Sequence, residues 1–303
     1  MLCENIGVNG AHLTFAGRDV TELAEKYGTP LYLMDEDKIR ANCRTYKKAM
    51  ADFFGEGSFP VFASKAACFK RIYEIMKEEN MGIDLVSSGE IATAVKAGFP
   101  MENSYFHGNN KTDFDINFAM DSGVGHFMVD NMCEIKAINE FAAERGIVQK
   151  VILRLTPGID PHTYAAVATG KVDSKFGIAI ETGQAEAFVK EAKDFANIEI
   201  VGYHCHVGSQ VFNEEGNVYL EAATIMLKFF ADMYYKYNVK AQILNMGGGF
   251  GVRYTDADPY MDIAGNIETL SKHIKDIAEK LDIPQGLAVY RVRNLREAIE
   301  TAL

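Results

Sequence analysis

Seven short apolar runs, each closing on a polar residue or glycine and each followed by helical periodicity, constrain this chain more than any other feature. They are PVFASK (60–65), GIDLVSS (82–88), SYFHGNN (104–110), HFMVDN (126–131), VILRLTP (151–157), IVGYHCHVGS (200–209) and ILNMGGGFG (243–251). Continuous apolar runs of this length read as strands buried on both faces, and strands separated by helices read as a parallel sheet. Helix candidates fill the intervals at 88–98, 132–145, 182–195 and 214–237. The first is opened by Ser87 with Glu90 as a capping box and stopped by Gly98 and Pro100. The last carries the apolar stripe Tyr219, Ala222, Ile225, Met226, Phe229 and Phe230. The fold class is therefore α/β, either a doubly wound sheet or a (β/α)8 barrel. Residues 26–285 have a barrel's length, but 259–282 read as helical and no clear eighth run is found, so the barrel is expected to be incomplete at its eighth strand.

Polar strand ends in a barrel face one pocket, which would gather Lys65, Asp84, His107, Asp130, Arg154, His206 and Gly248. Lys65 is either a lysine reaching out to solvent or an amine desolvated among Phe62, Ala63 and Ala66, able to form an imine with a carbonyl or an aldehyde cofactor. The NMGGGFG run (245–251) lets backbone N–H groups turn toward an anion; it lacks the dinucleotide fingerprint and the P-loop lysine, leaving a phosphate cradle or a plain tight turn. His204 and His206 stand two apart, hence on one face of a strand, with Cys205 on the other. That pair suits a divalent metal if a third ligand exists, a ring stacked on a planar ligand with Ser209 on a phosphate, or a structural role in the strand. The polar segments FHGNNK (106–111) and TGKVDSKFGI (169–178) read as mouth loops or surface turns.

The net charge of −11 and pI near 5.2 argue against a nucleic-acid partner, since 31 basic residues are scattered among 42 acidic ones. A small-molecule ligand is the better expectation. Five dispersed cysteines without a C-x-x-C pair read as free thiols in a reducing compartment. No signal peptide is recognisable at the N-terminus and no run of about 18 apolar residues occurs, so no membrane partner and a cytoplasmic location are expected.

The stretches YGTPLYLMDEDKIRANC (27–43), FASKAA (62–67), GIDLVSSGEIATAVKAGF (82–99), FHGNNK, VDN (129–131), RLTPGID (154–160), TGKVDSKFGI, GYHCHVGSQV (202–211) and LNMGGGFGVRY (244–254) together resemble the alanine-racemase-type barrel of pyridoxal-phosphate enzymes. Within it, DSKFG and HCHVGSQ resemble the diaminopimelate decarboxylases. The resemblance implies pyridoxal 5'-phosphate as cofactor, no metal, a homodimer, and decarboxylation of meso-2,6-diaminopimelate to L-lysine and CO2. It implies Lys65 as the cofactor's covalent anchor and His206 stacked on its ring, these two being catalytic. Ser209 and Gly247, Gly248 and Gly249 would bind the phosphate, and Asp84 and Arg154 would line the pocket.

The chain departs from the family pattern after residue 280. No Glu-Pro-Gly-Arg motif follows KLDIPQ (280–285), and GLAVYRVRNLREAIE (286–300) resembles the start of a C-terminal β-domain. The domain expectation is a lead-in over 1–25, the barrel over 26–285 and a remnant of that domain over 286–303. In the family the motif's glutamate pairs with the pyridinium nitrogen, so a truncated or internally deleted member is expected to bind cofactor and to decarboxylate poorly or not at all. The alternatives are a non-catalytic cofactor-binding relative, a decarboxylase of another basic amino acid such as carboxynorspermidine, and a metal-dependent hydrolase using His204 and His206.

Overall fold

The computed structural model describes residues 4–159, 175–212 and 217–283. A small antiparallel sheet comes first: β1 (Ile6–Asn9), β2 (His12–Phe15) and β3 (Arg18–Asp19). The helices α1 (Val20–Tyr27) and α2 (Glu36–Phe54) follow, capped by the side chains of Asp19 and Asp35. The sequence reading had residues 1–25 only as a lead-in; strands of four residues or fewer, mostly exposed, carry too little apolar pattern to announce themselves.

Each of the seven apolar runs forms a strand, two of which begin two residues early: β4 (Val61–Ala63), β5 (Gly82–Leu85), β6 (Ser104–Phe106), β7 (His126–Val129), β8 (Gln149–Thr156), β10 (Ile198–His204) and β11 (Ile243–Asn245). A two-residue strand, β9 (Ile178–Ala179), pairs only with the end of β8. The intervening helices are α3 (Lys70–Glu78), α4 (Ser88–Lys96), α5 (Asp113–Asp121), α6 (Met132–Arg145), α7 (Gln184–Ala192), α8 (Val218–Tyr237) and α9 (Ile263–Lys280). The sheet runs β4-β5-β6-β7-β8-β10-β11, parallel at every pairing. Strand order follows chain order without reversal, so right-handed crossovers place the covering helices on one side and the sheet curls. The result is an incomplete (β/α) barrel and not a doubly wound sheet.

Side-chain alternation divides the strands between two cores. Phe62, Ile83, Leu85, Phe106, Phe127, Val129, Val151, Leu153, Tyr203 and Leu244 join the large cluster shared with the helices. Val61, Tyr105, Met128, Ile152 and Ile243 form a second, smaller cluster inside the curl. Two residues further along each strand, the inner face turns polar at Asp84, His107, Asp130, Arg154 and Asn245. Among the described residues no strand joins β11 to β4, yet the helices meet across that gap. The Ser271 hydroxyl and the Lys275 ammonium on α9 both donate to the Phe53 carbonyl of α2, at 2.6 Å each.

Helix starts tie the strand ends down. Ser87 caps α4 by accepting from the Glu90 N–H, but the Glu90 carboxylate accepts from the Val86 N–H, one residue short of a reciprocal capping box. Asn131 and Glu134 repeat the device on α6, with Glu134 accepting from the Asp130 N–H at 3.0 Å. Glu134 also pairs with Lys111 at 2.6 Å, a buried ion pair whose ammonium further donates to the carbonyls of Gly108 and Met128. FHGNNK is thus largely a structural tie. Removing one member of a buried pair leaves the other charge uncompensated. Glu134→Ala is expected to cost about 3–5 kcal/mol of unfolding free energy, measured by urea denaturation against the parent chain.

Candidate active site

The polar layer at the carboxyl ends of the strands is the floor of the site. Asp84 lies on β5 and Arg154 on β8; His107 and Asp130 follow β6 and β7 directly, and His204 closes β10. All five are buried. Asp84 Oδ1 and His107 Nε2 lie 3.1 Å apart. The His107 ring meets the His204 ring edge to face, centroids 5.1 Å apart. Arg154 Nε lies 3.9 Å from Asp130 Oδ1, and its guanidinium covers the Phe176 ring at 4.2 Å. Asp130 Oδ1 also accepts from the Gly177 N–H at 2.8 Å, which fastens the segment after residue 174 over Arg154. Asn109 donates to the Lys175 carbonyl from the neighbouring mouth loop.

The rim stands one step above this floor. β4 ends at Ala63, and a single 3-10 turn over Ser64–Ala66 lifts Lys65 out of the strand, leaving it exposed. The expectation of an amine desolvated among Phe62, Ala63 and Ala66 is corrected: Phe62 points to the helix-side core and the turn carries Lys65 toward solvent. His206 follows β10 in the loop, so it does not share a strand face with His204 as the two-residue spacing suggested. Its Nδ1 accepts from the Gly248 N–H at 3.4 Å.

The glycine run folds as a tight cradle. Gly247 and Gly249 adopt φ of +67° and +99°. A Cβ on Gly249 would stand 1.8 Å from the Gly208 carbonyl oxygen, and one on Gly247 would stand 2.5 Å from that of Cys205. Only glycine allows both the left-handed backbone and this approach. The Val211 N–H donates to the Gly249 carbonyl at 2.9 Å, and the Gln210 amide brackets Val252, accepting from its N–H and donating to its carbonyl. Ser209 is thereby fixed beside the cradle, next to Gly208.

Burial sets the charge states of the floor. Desolvation raises the Asp84 carboxyl to about 8, against the pull of the Lys65 and Arg154 charges. Desolvation also raises Asp130, opposed by Arg154 and Lys111. His107, His204 and His206 are all pushed well below the ordinary imidazole value, first by burial and then by neighbouring positive charge, which keeps them neutral. Burial pushes the Cys205 thiol up to about 12, so it is no nucleophile. The Lys65 charge acts on Asp84 and His107 of the floor and on His206 of the loop after β10.

Of the seven strand-end residues read from the sequence, Asp84, His107, Asp130 and Arg154 share the floor, whereas Lys65, His206 and Gly248 belong to the rim. The missed floor residue is His204, together with the pairing of Asp84 with His107. Period-two alternation carried the signal for His107, which stands two residues above the inner Tyr105; His204 stands two above Gly202, where no apolar side chain marks the inner face. Among the described residues no three His, Cys, Asp or Glu side chains are grouped to hold a metal, so His204 and His206 lack the third ligand that the hydrolase alternative needs. Residues 169–174 of the TGKVDSKFGI segment and the whole of 286–303 lie outside the described residues.

A singly wound α/β domain with a lysine at the mouth of its strand ends and a glycine anion cradle belongs to the class of barrels that hold a phosphorylated cofactor. The chain belongs to the pyridoxal-dependent decarboxylases: residues 36–287 match the family's pyridoxal binding domain, and the cofactor of that domain is pyridoxal phosphate. It is similar to the diaminopimelate decarboxylase of Bacillus subtilis, 37% identical over 90% of this chain and 62% of the relative. That of Bacillus methanolicus is 38% identical over 87% of this chain and 60% of the relative. Among solved structures, the diaminopimelate decarboxylase from M. jannaschii in complex with L-lysine superposes with a TM-score of 0.87, at 29% identity, covering 100% of this chain and 69% of that one. The chain thus spans under two thirds of the length of the curated relatives it matches.

The residues present fit such a cofactor: the cradle that a Cβ would fill suits a phosphate, and the floor offers buried Asp84 Oδ1, His107 Nε2 and Asp130 Oδ2 with no hydrogen-bond partner among the described residues. Two outcomes follow from the geometry. Gly249→Ala, with its Cβ driven into the Gly208 carbonyl, is expected to lower the melting temperature and weaken pyridoxal phosphate binding at least tenfold, read by fluorescence titration. From pH 3.8 to about 8 the folded chain keeps a proton on Asp84 that the unfolded chain has released, so stability falls as pH rises through that window. Asp84→Asn cannot lose that proton and is expected to flatten the fall, seen in melting temperatures of the two cofactor-free proteins across the same range.

Proposed function

We propose that this chain is the cofactor-binding barrel of a decarboxylase that converts meso-2,6-diaminopimelate to L-lysine and CO2. The observation that carries the reading is the convergence of Lys65, the His206–Gly248 contact and the glycine cradle above a floor of buried ionisable groups. The similarity to diaminopimelate decarboxylases supports the substrate, as does the L-lysine held by the M. jannaschii protein and by the one from Helicobacter pylori.

Lys65, an exposed residue, would hold the cofactor through its Nζ until a substrate amine displaces it, and would then carry a proton at that atom. His206, its Nδ1 occupied by the Gly248 N–H, is neutral with its proton on Nε2, and its plane would orient the ring. Ser209 and the N–H groups of Gly247–Gly249 would hold the phosphate, as backbone concavities hold anions. Bound there, the cofactor supplies an electron sink for the pair left behind when the substrate carboxylate departs. Arg154 and Asp84 line the pocket floor. Arg154, clamped by Asp130 and Phe176, fixes a positive charge there, and Asp84 holds a proton near Lys65 at neutral pH.

The same reading includes a homodimer and a cytoplasmic setting, for which sedimentation and fractionation are the direct measurements. No described helix is long and apolar enough to cross a membrane. Purified protein given pyridoxal phosphate is expected to develop a visible absorbance band that Lys65→Ala abolishes, and to release CO2 from meso-diaminopimelate. Absence of the band from the parent chain overturns the cofactor role; a band without CO2 release favours the non-catalytic, cofactor-binding alternative.

A further inference from the structure

Asp84, His107 and His204 form a row of ionisable side chains across the floor, each nine-tenths or more buried. His107 is its middle member. Its Nε2 lies 3.1 Å from Asp84 Oδ1, and its ring is held on another side by the His204 ring, with the two planes at 85°. Neither Asp84 Oδ1 nor His107 Nε2 has a hydrogen-bond partner among the described residues, and the two lie 3.1 Å apart. The backbone reinforces the placement, since the His107 N–H donates to the Leu85 carbonyl at 2.7 Å, locking the turn after β6 to the residue that follows Asp84.

We infer that His107 is a positioning residue for the decarboxylase site: wedged between Asp84 and His204, it fixes the orientation of the Asp84 carboxyl and the pH at which that carboxyl gives up its proton. The consequence reaches Lys65, whose charge acts on both Asp84 and His107. The inference rests on the reading of Lys65 as the cofactor's anchor. In this inference His107 acts through Asp84.

The charges facing the pair define its balance. Lys65 and Arg154 act on Asp84; Arg154, Lys111 and Lys65 act on His107; Glu90, behind β5, is raised by Asp84 in turn. All the cations favour an ionised Asp84 and a neutral His107. The two atoms lie 3.1 Å apart without a formed hydrogen bond, and a small turn of the neutral imidazole would aim its Nε2–H at the carboxylate oxygen, which would stabilise the ionised acid. Without that donor, Asp84 is a desolvated carboxyl with an empty oxygen, and its proton is retained to higher pH.

The test needs no turnover. In the cofactor-free chain carrying labelled aspartate, the Asp84 side-chain carbon is followed by NMR across pH, and the signal is assigned with Asp84→Asn. His107→Phe removes the donor while keeping a planar ring, and is expected to raise the Asp84 midpoint by about one pH unit or more. His107→Asn, polar but too short to reach Asp84, is expected to do the same and serves in its place should the phenylalanine variant not fold. His107→Gln, whose amide nitrogen reaches roughly as far as Nε2, is expected to restore the parent midpoint.

With pyridoxal phosphate added, the pH midpoint of the visible band is expected to move in His107→Phe and His107→Asn and to return in His107→Gln. An Asp84 midpoint unchanged in both His107→Phe and His107→Asn overturns the inference and leaves the reading of Lys65 intact. Failure of the parent chain to form the band overturns that reading and the link to Lys65, whatever the Asp84 titration shows.

Discussion

Side-chain alternation along parallel strands in sequential order is the constraint on which everything else here depends. Because strand order never reverses, one face of the sheet meets helices throughout and the other meets itself. The helix-facing residues, such as Phe62, Phe106, Phe127 and Leu153, supply the large core. The inward residues supply a narrow apolar plug of Val61, Tyr105, Met128, Ile152 and Ile243. A side chain one pleat above that plug points into the same space without apolar neighbours to fill it, and there the chain places Asp84, His107, Asp130, Arg154 and Asn245. The floor of the site is therefore a product of the fold's period, with no loop needed to assemble it.

Polar groups gathered in that way would be costly if they were free to move, and the helix starts prevent it. Glu90 and Glu134 each reach back past their caps to the N–H of the residue before, so the strand ends at Val86 and Asp130 are pinned by the next helix. Lys111 joins the second of these pins to the loop after β6. The buried ion pair and the caps make the floor rigid, and rigidity preserves the unusual charge states: an acid raised to about 8, and three imidazoles held neutral. The rim is of a different kind. Lys65 sits exposed on one 3-10 turn and His206 on a partly buried loop braced by the glycine cradle, so the groups that would meet a ligand stand on short connections above a fixed base.

Much of this was legible before any coordinates. Five of the seven strands fall inside the apolar runs and the other two, β8 and β10, begin two residues before theirs; α6 occupies the interval 132–145 as read, and the stripe of α8 buries Tyr219, Ala222, Met226, Phe229 and Phe230. The helical reading of 259–282 was legible too, since it contains α9, and no eighth barrel strand stands among the described residues. What went unread shares a physical cause. The N-terminal hairpin, β9 and the exact height of each strand-end residue depend on where pairing stops, and pairing stops where neighbouring strands and loops compete for the same backbone groups. Lys65 illustrates it: VFASK is a plausible strand to its last residue, but the pairing of β4 with β5 ends at Ala63 opposite Asp84, and the next three residues turn.

By itself the sequence determined the elements, their parallel pairing and the kinds of chemistry on offer, because these follow from local periodicity, from glycine's freedom at the cradle, and from the residue types at the strand ends. Tertiary structure alone decided which of those residues meet. It separated His204, on the floor, from His206, on the rim, though only one residue stands between them. It set Lys65 in the open where a desolvated amine was expected, and it laid His107 against Asp84, twenty-three positions away in the chain. Such choices turn on contacts a few ångströms long between segments far apart in sequence, and those contacts exist only once the sheet has curled.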